Sequence, residues 1–121
     1  MEKQVKDAGV GVEIFYGYSR VDEVQLEHLA SEVLESLEVA DEAEIADSLS
    51  RAFLACQMLH IPVQRHFRRV FCFDGIQMIA DWKMSSLACY LLVINCNPSH
   101  EAVAKAQLFY AMNHSVKNIK V

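Results

Sequence analysis

Cys56 and His60 stand four residues apart, and His66 and Cys72 follow shortly after. A thiol and an imidazole one helical turn apart could act as nucleophile and base. Together with the later histidine and cysteine they could supply four zinc ligands. Both readings are disfavoured. Cys56 falls on an apolar stripe, the spacings match no usual zinc pattern, and none of the four cysteines (Cys56, Cys72, Cys89, Cys96) belongs to a CxxC pair. A reactive thiolate needs partial exposure beside a base, yet all four thiols sit in apolar contexts. The N-terminus "MEKQVKDAGV" is polar, and from it no secretory signal is expected. Reduced, buried thiols in a cytoplasmic protein are therefore expected. The four glycines form no GxGxxG or GKS loop. Carboxylate runs such as Asp41–Glu44 look like helix starts rather than active sites. The expectation is a protein with no enzymatic activity, no metal and no cofactor.

The remaining chemistry lies in "QRHFRRV", Gln64–Val70, with Arg51 and Lys83 as possible neighbours. Arginine grips phosphate in a bidentate fork, and an aromatic ring such as Phe67 can stack on a base. The candidate nucleic-acid contacts are Arg51, Gln64, Arg65, Arg68, Arg69 and Lys83. A competing reading pairs these cations with the protein's own surplus of Asp and Glu. The net charge of −5 argues against a surface that is one continuous nucleic-acid footprint but leaves room for a local basic patch.

A chain of 121 residues, 53% hydrophobic and 22% charged, can bury its own core as one domain, residues 1–121. Its longest apolar run, Leu87–Ile94, is far below the ~20 residues that span a bilayer. Val10–Tyr18 is β-branched and aromatic and is predicted to be a strand. Helical spacing marks Leu26–Leu37 and Asp41–Leu59, the latter with Asp41 and Glu44 as a capping box and Pro62 as its stop. Asp74-Gly75 predicts a two-residue hairpin turn that pairs Phe73 with Ile76 and Phe71 with Met78. Ser85 should cap a helix to Asn95 that is apolar on every side and therefore buried in the middle of the domain. Ser99 should cap a last helix from His100 to Asn113. The fold class expected is α+β: a predominantly helical domain with a central buried helix and one or two small β-hairpins.

From Ala80 to Asn113 the chain reads "ADWKMSSLACYLLVINCNPSHEAVAKAQLFYAMN". Asp81, Lys83, Ser85, Ala88, Cys89, Tyr90, Leu91, Asn95, Pro98, Val103, Ala104, Gln107, Phe109 and Ala111 fall on one pattern. It is Asp-x-Lys-Leu-Ser-Arg-Tyr-Ala-Cys-Tyr-Leu-Ile, an Asn, an Asp-Pro, and a Val-Ala-x-x-Gln-x-Tyr-Phe-Ala helix. The stretch resembles the DNA-damage-inducible protein D family. "HLASEVLESL", Cys56, Val63, His66 and Phe67 extend the resemblance, so that about Leu26 to His114 is covered. Ser86 stands where that family has Arg, Glu38-Val39-Ala40 where it has Gly-Tyr-Ser, and the hairpin before Asp81 is shorter. The chain ends where members of that family usually continue into a further C-terminal region.

The resemblance implies a cytoplasmic bacterial protein related to the BRO and KilA-N N-terminal domains of phage antirepressors. Its expected role is non-enzymatic: a DNA-interacting module in DNA-damage response, prophage or transcription regulation, with a homodimer as a candidate assembly. The rival expectation is a protein-interaction module that acts on a DNA-repair or recombination protein without binding DNA itself.

Overall fold

The computed structural model describes residues 24–113 and the backbone of an N-terminal strand. In chain order the elements are β1 (Gln4–Asp7), β2 (His28–Leu29), α1 (Ala30–Ser36), α2 (Glu42–Met58), α3 (Val63–His66), β3 (Phe67–Phe73), β4 (Met78–Met84), α4 (Ser86–Ile94) and α5 (Glu101–Asn113). The four strands form an antiparallel sheet in the order β1-β3-β4-β2. The α+β class is as expected, with one hairpin at the centre of the sheet. The predicted strand Val10–Tyr18 lies outside the described residues.

α1 starts at Ala30, four residues later than the apolar spacing suggests, because His28 and Leu29 pair with Met84 and Lys83. Leu29 occupies the N-cap position and has no side chain able to cap. The carboxylate of Asp81 takes over from β4. Its Oδ1 accepts from the Ser31 backbone N–H at 3.1 Å, and its Oδ2 accepts from the Ser31 hydroxyl. One buried acid thus caps the helix across the sheet.

α2 begins as predicted, with Asp41 accepting from the Glu44 N–H at 3.0 Å. The reciprocal half of the capping box is replaced: the Glu44 carboxylate lies 2.7 Å from His100 Nε2 instead. Both α1 and α2 end in Schellman turns. Val39 N–H donates to Leu34 O at 2.9 Å, and Ile61 N–H donates to Cys56 O at 2.8 Å. The left-handed residue of each turn is Glu38 (φ 59°) or His60 (φ 58°), positions where glycine is usual.

The hairpin departs from the predicted turn. Phe73 pairs with Met78 and Phe71 with Ala80, leaving a four-residue loop, Asp74–Gln77. Asp74 explains it, since its Oδ1 accepts from both Ile76 N–H and Gln77 N–H at 2.9 Å. Gly75 takes the positive φ of 101° that the loop requires.

Ser85 caps α4 as expected, accepting from the Ala88 N–H at 3.0 Å. Ala88, Cys89, Leu91, Leu92 and Val93 are buried in the core with Leu34, Ala52, Cys56, Phe67, Met84 and Val103. Burial on every side does not hold, however, because Leu87 is 38% and Ile94 39% exposed. An apolar sequence was a poor guide here: the helix keeps one stripe, with Leu87 and Ile94, partly open to solvent. The last helix begins at Glu101, after a turn in which Asn97 Oδ1 accepts from the Ser99 N–H.

Candidate nucleic-acid interface

Side chains alternate along β3, so Phe67, Arg69, Phe71 and Phe73 share one face of the sheet with their partners Met84, Trp82, Ala80 and Met78. The base of this face is core. Phe67 and Trp82 pack edge-on against Phe53 of α2, with ring centroids 4.8 and 5.2 Å away. Toward the hairpin tip the helical layer ends. Arg69 lies over the Trp82 ring, its Cζ 4.8 Å from the centroid. Beyond it Phe71 and Phe73 are 40% and 39% exposed, and Met78 is 50% exposed. The opposite face carries Arg68 and Lys83, which are register partners, and the buried Val70, Cys72 and Asp81.

The six residues singled out from sequence therefore separate into three groups. Gln64 and Arg65 lie exposed on the single turn α3. Arg68, Arg69 and Lys83 are on the hairpin, with Arg69 on the face opposite to the other two. Arg51 is held elsewhere: its Nε and Nη2 donate to Asn95 O at 3.2 and 2.5 Å, at the C-terminal end of α4. A guanidinium there satisfies an orphan carbonyl and complements the helix dipole. Arg51 is thus a helix clamp, and the structure does not join it to the hairpin cations. Sequence reading missed Phe71 and Phe73 as surface groups and Trp82 as the ring beneath Arg69. Their alternation with buried residues was visible, but which face would be open was not.

Arg51 also borders a cleft of about 410 Å³ lined by Glu44, Asp47, Ser48, Asn95 and Cys96. Its chemistry is largely committed to the fold. Glu44 holds His100, Arg51 holds Asn95 O, and the Cys96 thiol lies 3.2 Å from Leu92 O. Burial raises the pKa of Cys96 and of Cys56, the reverse of what a thiolate nucleophile needs. All four cysteines are buried, and none is in a disulfide. His60 is exposed on the Schellman turn while Cys56 is fully buried in the core. Among the described residues no group of three or more His, Cys, Asp or Glu side chains is placed to hold a metal ion. Also among the described residues, no helix is long and apolar enough to cross a membrane.

His66 has a structural task. Its Nδ1 lies 2.7 Å from Ser85 Oγ, and its carbonyl accepts from Ser85 N–H at 3.0 Å. The Ser85 oxygen also accepts from Ala88 N–H, so this hydroxyl joins the His66 ring to the first turn of α4. Burial, with Arg65 adding repulsion, lowers the His66 pKa below its ordinary 6.5. The unfolded chain then binds more protons than the folded one once the pH drops below that value. The stability that the partly buried neutral ring contributes is complete above the unfolded pKa and is lost as pH falls through the lower, folded one. Melting temperature should therefore decline between about pH 7 and pH 5, with a shallower decline in His66→Gln. An equal pH dependence in wild type and variant would remove His66 from this role.

No family model, no curated protein and no solved structure matches this chain.

Proposed function

We propose that the chain is a non-catalytic, nucleic-acid-interacting regulatory module of bacterial DNA-damage response or prophage control, acting in the cytoplasm. The observation that carries this reading is the distribution of charge. Between Pro62 and Met84 stand Arg65, Arg68, Arg69 and Lys83 against Asp74 and Asp81. This segment is +2 while the remaining residues sum to −7. Both of its acids are occupied, Asp81 by Ser31 and Asp74 by its own loop amides. The hairpin region is thus the part of an acidic protein best suited to a polyanion. The resemblance to the DNA-damage-inducible protein D family points the same way. Glu38, where that family has glycine, takes the left-handed conformation that glycine favours.

Phosphate contacts release counterions, so affinity for DNA should fall steeply with salt. Arg65→Ala combined with Arg69→Ala should reduce the slope of log affinity against log salt by about 2, alike for different DNA sequences. Fluorescence anisotropy at several salt concentrations measures this. No binding by wild type even at low salt would reject the reading.

One observation favours a second role, docking onto a DNA-repair or recombination protein. Leu108, Phe109 and Met112 are exposed together on α5. Contiguous apolar surface of this kind marks protein interfaces, self-association included.

A further inference from the structure

The outer half of the hairpin face has a composition that phosphate contacts alone do not use. Phosphate binding calls for cations. Phe71 and Phe73, flanked by Met78 and Ala80, are not cations, and the helical layer that covers Phe67 and Met84 on the same face stops short of them. Side chains two positions apart on one strand leave the same face about 6.7 Å apart. That is twice the ~3.4 Å rise between bases of a stacked strand. Two such rings can each take one base of a strand whose bases have been drawn apart. A duplex, with its bases stacked and paired, cannot present them in this way.

Arg69 supplies the matching charge at the start of the row. Its guanidinium is fixed over the Trp82 ring, which is itself wedged against Phe53 and Phe67. The cation is therefore pre-oriented on the same face as the two phenylalanines, so little side-chain freedom remains to be lost on binding. A cation beside a row of aromatic rings on an open sheet face is the arrangement by which unpaired bases are held without strong sequence preference.

We propose that this face, Arg69 with Phe71 and Phe73, is a stacking platform for unpaired bases of single-stranded nucleic acid. The proposal rests on the nucleic-acid reading above and narrows it: the cations hold the backbone and the rings hold the bases.

The test uses the full chain with an oligothymidine strand, an oligouridine strand of equal length and a DNA duplex, followed by anisotropy. Phe71→Leu combined with Phe73→Leu keeps apolar bulk at two exposed positions but removes the π faces. The expected result is tight binding of at least one single strand by wild type. The double variant should bind that strand about tenfold or more weakly, with an unchanged circular dichroism spectrum and unchanged duplex affinity. Whichever strand wild type prefers, DNA or RNA, names the source of the bases. Three results overturn the proposal. If the double variant binds the single strand as wild type does, the rings do not stack. If wild type binds duplex but neither single strand, the platform is wrong while the nucleic-acid reading stands. If wild type binds none of the three at low salt, both fall, and the exposed rings belong to a protein interface.

Discussion

Replacing Leu92 by alanine should lower the stability of the domain by about 2–5 kcal/mol. Leu92 is 0% exposed and lies in the last turn of α4, in the core cluster with Val103, Phe67 and Met84. Truncation removes three buried carbon atoms and leaves a cavity that the surrounding elements can only partly close. The α4 segment is tied at both ends, by Ser85 at its start and by Gln107, whose Nε2 donates to Val93 O and Cys96 O at 3.0 Å. Relaxation into the void is therefore restricted. Leu87→Ala on the same helix should cost far less, because Leu87 is already open to solvent. Urea denaturation of the two variants measures the contrast. Equal losses would contradict the difference in burial between the two sides of α4.

Asp81→Ala should cost roughly 2–3 kcal/mol, since hydrogen bonds to a buried charged group are among the more valuable ones. Its carboxylate accepts from Ser31 N–H, Ser31 Oγ and its neighbour's Trp82 N–H, the last at 2.7 Å. With the acid gone, the first turn of α1 loses the cap that Asp81 supplies, and Leu29 offers none in its place. A double-mutant cycle with Ser31→Ala separates the pair from the cavity. The combined loss should be smaller than the sum of the two single losses, because the second substitution removes groups the first has already stranded. Strict additivity would show that Asp81 and Ser31 do not work as a unit.

These two residues also mark what could be read from the sequence and what could not. α2 and the Ser85 cap were legible because their signals are local: an N-cap residue, a periodic apolar stripe and a stop. α1 was misplaced at its start because its cap comes from a residue 50 positions away, which no local window contains. β2, at two residues, is too short to have a pattern. The Asp-Gly pair located the hairpin correctly but not its register. Asp74 bonding two loop amides outweighs the preference for a two-residue turn. That shift of register pairs Phe71 with Ala80 instead of Met78.

The candidate site shows the same division. The arginine cluster stood out by composition alone, whereas the separation of Arg69 from Arg68 follows from strand alternation. Arg51 could not be excluded from the cluster until the end of α4 was seen beside it. The exposed rings were hidden for a simpler reason: aromatic residues in a strand are ordinarily assigned to the core.

On the function proposed above, the hairpin face and not the helical side meets nucleic acid. A map of backbone amide shifts on titration with an oligothymidine strand tests it most directly. Shifts concentrated at Arg65–Phe73 and at Met78–Trp82, together with the indole N–H of Trp82, the chain's single tryptophan, are the result the account predicts. Shifts confined to Leu108–Met112, or none at all at low salt, would contradict it.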